Sequence, residues 1–417
     1  MGVGQRVAPR RRLVRVELPR RTIRNPAIEI FTWSRAAIWV AALFAFLTFE
    51  PNRHPLANHW DAPWLHDSGW VVDVWARWDS KWIVKIAEHG YGSSAWSGAF
   101  FPLYPGSVGV LGRVFFGHYV IAGVLVSLAA CFGAFVLLQK IAEPKLGLDG
   151  SRRAVLYLAV FPLSLFLQAV YTESLFLFCS LLAFYLAERK RFALSGVAAG
   201  LALLTRAVGF MLLPALVLFA WRARSRVRAL AGLAIAPLMF VAYPLGLWWQ
   251  INDPWAFWHA ELDPLWARHF AAHLGPWAGI RSGFRAALDG VHQLISSTNS
   301  HAYWTHVHDT TPMRAAAINL SLFLFLLLFA ALTVVAWRRF GAPYGLYSAL
   351  SLAVPLSIPS DRWPLLSLPR FGLVVFPFFL ALAALGGRPR VHTAIVGVSA
   401  IMLGVAVSQW ALWQWVA

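Results

Sequence analysis

The sequence is poor in cysteine, in charged residues and above all in carboxylates. Only two cysteines occur among 417 residues, Cys131 and Cys179, and both stand in apolar runs. This excludes a disulfide framework and a thiolate metal site. Charged residues make up 13% of the chain, with 18 Asp and Glu against 36 Lys and Arg. Ordinary soluble domains carry about 25% charged residues, so a soluble protein is excluded as well.

Several catalytic motifs are also absent. The sequence contains no HExxH, no paired CxxC, no Walker loop and no GxSxG. Zinc-dependent hydrolysis, nucleotide-driven transport and serine chemistry at a nucleophile elbow therefore lack their characteristic residues.

Apolar and aromatic residues are abundant instead. Hydrophobic residues make up 59% of the chain, and there are 22 Trp. This composition predicts an all-α polytopic membrane protein with about eleven transmembrane helices. No fixed repeat period or low-complexity linker divides the chain, so residues 29–417 are predicted to form one domain. The predicted spans are 33–49, 119–138, 154–170, 174–187, 192–204, 208–221, 229–249, 315–337, 344–358, 371–385 and 391–412.

The distribution of arginine predicts the orientation. Residues 1–28 form a strongly basic tail, which the positive-inside rule places in the cytoplasm, with 33–49 as an uncleaved signal anchor. The tail is expected to touch anionic lipid headgroups, and nucleic-acid binding is the less favoured alternative. The outer loops are then about 50–115, 251–314 and 359–370, and the C-terminus lies outside. The many Arg and few Lys favour a bacterial plasma (inner) membrane.

The segment 75–105 in the first outer loop is dense in aromatic residues and holds Asp79 at an apolar position. At helical spacing, one face carries Trp75, Trp78, Trp82, Ile83 and Ile86, and the opposite face carries Arg77, Ser80, Lys81, Lys85 and Glu88. Such a helix is predicted to lie in the membrane interface. Asp79 falls within the apolar face, where an unpaired carboxylate is costly, so it is expected either to be paired or to have a raised pKa. Both states suit a general base.

Four ionisable residues on the outer side are not explained by topology: Asp79, Glu173, Arg206 and Arg370. Alternative interpretations stay open for three of them. Glu173 can cap the helix that begins beside it, and the arginines can be interface anchors whose side chains snorkel. In the second outer loop, His306-Val307-His308-Asp309 is a weak metal-site candidate.

Short sequence blocks resemble a known family. They are Trp78-Asp79-Ser80, Ile86-Ala87-Glu88-His89-Gly90-Tyr91, Ala99-Phe100-Phe101-Pro102-Leu103-Tyr104-Pro105, Tyr171-Thr172-Glu173-Ser174-Leu175-Phe176, Thr205-Arg206 with Gly209, and Pro369-Arg370-Phe371 before Pro377. Together they resemble the PIG-V family, the GPI mannosyltransferase 2 group and its bacterial membrane relatives. The chain departs from that family at Lys81-Trp82, where a small or His residue followed by Tyr is expected, and in its long basic tail.

The resemblance implies a GT-C glycosyltransferase fold with interfacial helices in the first outer loop. It also implies inverting transfer of a sugar, usually mannose, from a polyprenyl-phosphate donor at the outer membrane face. The acidic residue used as catalytic base in the family matches Asp79. No metal or other cofactor and no nucleic acid is expected to take part.

The residues and the resemblance lead to one mechanistic hypothesis. Asp79 is the base, Glu173 orients the acceptor or tunes Asp79, and Arg206 and Arg370 hold the donor phosphate. The remaining candidate substrate-binding residues are Trp78, Lys81, His89, Tyr91, Tyr104 and Tyr171. The acceptor is a lipid or glycan hydroxyl of undetermined identity, and another sugar such as arabinose or glucose stays open. The rival function is a polytopic transporter or lipid-linked sugar flippase, which would favour ionisable residues at mid-span over a cluster at one face.

Overall fold

A computed structural model describes residues 25–93, 95–262, 268–271, 273–296, 310–361 and 363–416. Within these residues the chain forms α-helices and short 3-10 helices, and no β-strand. The α-helices are α1 (Pro26–Thr48), α2 (His54–Ala57), α3 (Trp70–Asp73), α4 (Ser80–His89), α5 (Leu103–Val114), α6 (Tyr119–Val160), α7 (Glu173–Glu188), α8 (Phe192–Leu203), α9 (Leu212–Trp221), α10 (Arg226–Leu233), α11 (Ile235–Ile251), α12 (Ala256–Glu261), α13 (Pro276–Ser296), α14 (Pro312–Phe340), α15 (Ala342–Ser357), α16 (Leu368–Leu373), α17 (Pro377–Leu385) and α18 (Pro389–Ala411). The 3-10 helices are Pro63–Leu65, Tyr91–Ser93, Ala95–Ala99, Ser164–Leu167 and Ala207–Met211.

Five helical segments among the described residues are long and apolar enough to cross a membrane: α1, α6, α10 with α11, α14 and α18. Shorter apolar helices lie at Phe192–Leu203 and Ala207–Trp221. The all-α polytopic class predicted from the sequence is therefore confirmed, whereas the number of eleven spans stays a prediction. The basic tail lies outside the described residues, except for its last four positions.

The segment α6 runs from Tyr119 to Val160 and is divided into two helical pieces at Gly147, within the turn predicted between 138 and 154. The φ of 71° at Gly147 lies in the left-handed region that glycine tolerates. The predicted span 154–170 was wrong beyond Val160. Phe161 precedes Pro162 and has extended backbone with ψ of 141°, because a residue before proline is disfavoured in the helical region.

The irregular segment 161–172 that follows α6 is held in place by Arg35 of α1. The buried Arg35 guanidinium donates hydrogen bonds to the carbonyl oxygens of Ala159 at 2.9 Å and Ser164 at 2.8 Å. Ala159 lies in the last turn of α6, where carbonyls lack helical partners, and its carbonyl also accepts a hydrogen bond from the Ser164 hydroxyl at 2.6 Å. Arg35 thus fixes the segment 161–172, which leads directly to Glu173, the first residue of α7.

The predicted interfacial helix in the first outer loop begins later than its periodicity indicated. Helix α4 starts at Ser80, and Trp78 has a positive φ of 51°, so the chain turns sharply before the helix. Arg77 and Ser80, predicted on the polar face, are buried. Arg77 packs over the ring of Trp413 at 4.2 Å from the centroid, and the Ser80 hydroxyl donates to the carbonyl of Val170. Long-range contacts therefore override the local pattern.

The break predicted at Thr205-Arg206 is present. Helix α8 ends at Leu203, and the next helical turn begins at Ala207. Gly209 lets this turn approach α8, because a Cβ at that position would lie 2.9 Å from the carbonyl group of Ala202. The break leaves Arg206 between two helical pieces, at the same end of the molecule as the start of α7.

Candidate active site

Asp79 lies in a turn that is tied to the segment before α7. The Asp79 amide donates to the Tyr171 hydroxyl at 3.1 Å, and this hydroxyl donates to the carbonyl of Arg77 at 3.2 Å. The Asp79 side chain does not cap α4, although its position would allow it. Its carboxylate is directed instead toward Arg370. The backbone contacts therefore fix the position of Asp79, and its side chain is kept for another partner.

Asp79, Arg370, Glu173 and Arg206 form one continuous series of ion pairs. Asp79 Oδ2 lies 3.0 Å from Arg370 Nη1, and Arg370 Nε lies 3.4 Å from Glu173 Oε1. The same Glu173 oxygen lies 2.6 Å from Arg206 Nη1, which also donates to the Thr172 hydroxyl at 3.0 Å. The four residues, separated by up to 291 positions in sequence, thus form a single electrostatic unit.

The burial of this unit sets its electrostatics. The Glu173 side chain is 0% exposed, and those of Arg370, Asp79 and Arg206 are 13%, 15% and 16% exposed. Burial alone would lower the pKa of Arg370, but Asp79 and Glu173 together raise it above its ordinary value. Arg370 is therefore a permanent cation held between two carboxylates. Glu173 Oε2 accepts no hydrogen bond from the part of the chain that the structure describes.

The ion-paired unit forms part of the wall of a cavity of about 500 Å³. Asp79, Tyr171, Glu173, Arg206 and Arg370 all line it. Most of the other lining residues are apolar and come from the loop before α5, the break after α8, α12, the end of α15 and α16; among them are Phe100, Phe101, Phe210, Phe257, Trp258, Leu356 and Phe371. Its volume is typical of small-molecule sites, and its wall combines a charged cluster with a mostly apolar surface.

A third arginine and a third carboxylate line the cavity, and the sequence analysis missed both. Arg268 and Glu261 come from the second outer loop and approach each other to 3.5 Å. Burial lowers the pKa of Arg268, and Glu261 counteracts this effect in part. Guanidinium Cζ atoms lie near the Phe371 ring centroid at 5.7 Å for Arg206, 5.9 Å for Arg268 and 5.8 Å for Arg370. The only sequence signal was an arginine on the side where the positive-inside rule disfavours it, a property that Arg281 and Arg285 share.

The other candidate residues do not line the cavity. Trp78 packs against Trp60, Trp413 and Trp415. The Lys81 ammonium donates to the carbonyl of His59 at 2.7 Å.

His89 is exposed at the end of α4, 3.6 Å from Glu88. Tyr104 is buried, and its hydroxyl donates to the carbonyl of Gly123 at 2.9 Å. The Tyr91 hydroxyl donates to the carbonyl of Phe100 at 2.6 Å. Tyr91 therefore supports a residue of the cavity wall from behind.

Acidic and histidine side chains are the usual metal ligands besides cysteine. Among residues 25–93, 95–262, 268–271, 273–296, 310–361 and 363–416, no three His, Cys, Asp or Glu side chains are grouped closely enough to hold an ion. The His306-Val307-His308-Asp309 run lies outside these residues. The chemistry available within the cavity is thus that of carboxylates and guanidinium groups: proton acceptance, and binding of an anion through charge-assisted hydrogen bonds.

No protein-family model matches the sequence, and no curated protein matches it. Solved structures give distant matches. ArnT from Cupriavidus metallidurans, bound to undecaprenyl phosphate, aligns with 92% of this chain and 77% of its own at 12% identity and a TM-score of 0.40. The Archaeoglobus fulgidus oligosaccharyltransferase aligns in the apo form with 92% of this chain and 56% of its own, at 14% identity and a TM-score of 0.40. Its complex with Zn and sulfate aligns with 80% and 48%, at 12% identity and a TM-score of 0.39. The chain spans about half the length of that oligosaccharyltransferase, and likeness at this level assigns no residue a role.

Proposed function

We propose that this protein is a membrane glycosyltransferase of the GT-C type. In this proposal it moves mannose or a similar sugar from a polyprenyl-phosphate donor to a lipid or glycan hydroxyl at the outer face of the membrane. The observation that carries the proposal is the position of Asp79 in the wall of a cavity that combines a charged cluster with a mostly apolar surface. A lipid-linked sugar phosphate has the same two-part character. The apolar wall suits the first isoprenoid units, and the arginines suit the phosphate.

Asp79 acts as the general base. Within the described part of the chain its ion pair involves Oδ2, so Oδ1 is the oxygen available to an acceptor hydroxyl. Asp79 takes the hydroxyl proton while the acceptor oxygen forms a bond to the anomeric carbon. The bond between that carbon and the phosphate oxygen breaks, and its electron pair stays on the phosphate. Because one displacement occurs, the anomeric configuration inverts.

Arg370 couples the base to the leaving group. During the reaction one negative charge disappears from Asp79 as it is protonated, and one appears on the phosphate. Asp79, which lies 3.0 Å from Arg370, becomes neutral at the moment the phosphate gains negative charge. The positive charge of Arg370 is already in place, and it stabilises the negative charge that develops on the phosphate in the transition state without a metal ion. Glu173 and Arg206 keep Arg370 in this position.

The position of the charged residues also favours an enzyme over a transporter. Asp79 precedes the first residue of α4, Glu173 is the first residue of α7, and Arg206 lies in the break after α8. These positions meet in one ion-paired cluster, whereas a translocation path would favour ionisable residues along the middle of long spans.

The test is sugar transfer by the purified protein in detergent from radiolabelled polyprenyl-phosphate mannose, with a membrane lipid extract as acceptor. Asp79→Asn is compared with Glu88→Gln, which neutralises an exposed carboxylate on the neighbouring helix. We expect labelled product from wild type and Glu88→Gln, and a loss of at least about 100-fold for Asp79→Asn.

Turnover by Asp79→Asn near that of wild type would remove Asp79 from the role of base. Absence of transfer by every protein, with donor transported across vesicles instead, would replace the enzyme by a flippase.

A further inference from the structure

The two arginines that the sequence singles out as phosphate ligands are already neutralised by carboxylates. Arg370 contacts Asp79 at 3.0 Å and Glu173 at 3.4 Å, and Arg206 contacts Glu173 at 2.6 Å. An incoming phosphate bound directly by either arginine would be a second anion beside a carboxylate that already neutralises that arginine. Bringing two negative charges together within a largely buried unit is costly. In the resting enzyme these two guanidinium groups are therefore poor sites for an additional anion.

Arg268 differs in its pairing. Its carboxylate contact among the described residues, with Glu261, is longer at 3.5 Å, and the Glu261 side chain is 38% exposed. A partly solvated carboxylate at this distance holds a guanidinium only weakly. Arg268 itself is only 18% exposed, lines the cavity and lies beside the same Phe371 ring as the other two arginines. It combines a desolvated position with a partner that is easily displaced.

We infer that Arg268 is the residue that holds the phosphodiester of the lipid-linked donor before reaction, displacing Glu261, while Arg206 and Arg370 position the two carboxylates. This assignment rests on the proposed function. Under this assignment, Arg268 binds the phosphodiester of the donor before reaction, and Arg370 stabilises the negative charge that the reaction creates on the leaving phosphate. Donor binding and catalysis then depend on different guanidinium groups.

The inference is tested by equilibrium binding of radiolabelled farnesyl phosphate to the purified protein in detergent, with farnesol and inorganic phosphate as competitors. Arg268→Gln is expected to weaken farnesyl phosphate binding about 10- to 100-fold, the usual effect of losing a hydrogen bond to a charged group. Farnesol binding should not change. Arg268→Lys should restore part of the affinity. Arg281→Gln, on the exposed side of α13, is the matched control and should bind as wild type does.

Glu261→Gln gives the opposite effect, which a misfolded variant cannot imitate. Because it removes the carboxylate that competes with the phosphate, we expect binding to tighten about two- to fivefold. Arg268→Gln affinity within twofold of wild type, or no tightening in Glu261→Gln, would overturn the assignment. Inorganic phosphate that competes as well as farnesyl phosphate would make this a free-anion site and overturn it too.

Kinetics separate this inference from the proposed function. In the transfer assay, Arg268→Gln should raise KM for the donor and change kcat little, whereas Arg370→Gln should lower kcat. Wild-type transfer with an unchanged KM in Arg268→Gln refutes the role of Arg268 alone. Farnesyl phosphate binding that depends on Arg268, without transfer by wild type, refutes the glycosyltransferase and leaves the assignment of Arg268 as the phosphodiester-binding residue intact.

Discussion

Glu173 should contribute more to the stability of this protein than any exposed carboxylate. Its buried side chain neutralises Arg206 at 2.6 Å and Arg370 at 3.4 Å. In Glu173→Gln, Arg370 keeps Asp79, but Arg206 loses its carboxylate and keeps the Thr172 hydroxyl and the Phe371 ring. Leaving a buried charge without its partner costs about 3–5 kcal/mol. Because Arg206 is 16% exposed, we expect the lower end, about 3 kcal/mol.

The measurement is chemical denaturation in detergent followed by tryptophan fluorescence. The control is Glu88→Gln, whose exposed carboxylate should change the free energy of unfolding by less than about 0.5 kcal/mol. A double variant, Glu173→Gln with Arg206→Gln, removes the unpaired charge as well. It should regain part of the loss, with a coupling free energy of about 2 kcal/mol between the two sites. A loss below about 1 kcal/mol in Glu173→Gln, or additive effects in the double variant, would refute the reasoning.

Two further predictions concern the first outer loop and the break after α8. The hydrogen bond to Asp61 at 2.6 Å raises the pKa of His66 above its ordinary 6.5. This pair therefore stabilises the fold fully below about pH 6.5, and the stabilisation is lost as the pH rises through the folded-state pKa of His66. His66→Gln should therefore lower the free energy of unfolding by less than about 1 kcal/mol at pH 5.5 and leave it unchanged at pH 9. An equal loss of stability at the two pH values would contradict this. Gly209→Ala places a Cβ 2.9 Å from the carbonyl of Ala202 and should destabilise by about 1–3 kcal/mol, measured by the same denaturation assay. Gly404→Ala meets nothing within 4 Å in a helix and should be neutral or stabilising, so equal effects of the two alanines would sink the argument.

The general architecture was accessible from the sequence because it depends on properties of single residues and short windows. Apolar runs predict membrane spans whatever their neighbours are, and the all-α polytopic class followed from them. The break at Thr205-Arg206 could be predicted for the same reason, because this polar pair divides an apolar run into two pieces that are each too short to span a membrane. The error at 161–170 came from treating an apolar run as a helix when Pro162 ends it.

The candidate site was accessible only in part. Asp79, Glu173, Arg206 and Arg370 stood out as charges in places where neither solvent nor orientation explains them, and the structure joins them by ion pairs. Trp78 and Lys81, within two positions of Asp79 in sequence, do not line the cavity, and the chain turns at Trp78. At that turn, closeness to Asp79 in sequence did not predict which residues line the cavity.

Arg268 and Glu261 show the limit of sequence reasoning most clearly. Nothing in their local sequence distinguishes them from the other charged residues of the same loop. Both line the cavity wall, where Arg268 lies beside Phe371, more than 100 positions later, and Glu261 pairs with Arg268.

The sequence by itself determined that this chain is a helical membrane protein and which few charges need a reason, because hydrophobicity and charge are properties of each residue. Only the tertiary structure decided which charges neutralise one another and which one remains available to a ligand. An ion pair depends on distances of a few ångströms between residues far apart in the chain, and those distances are set by packing of the whole fold.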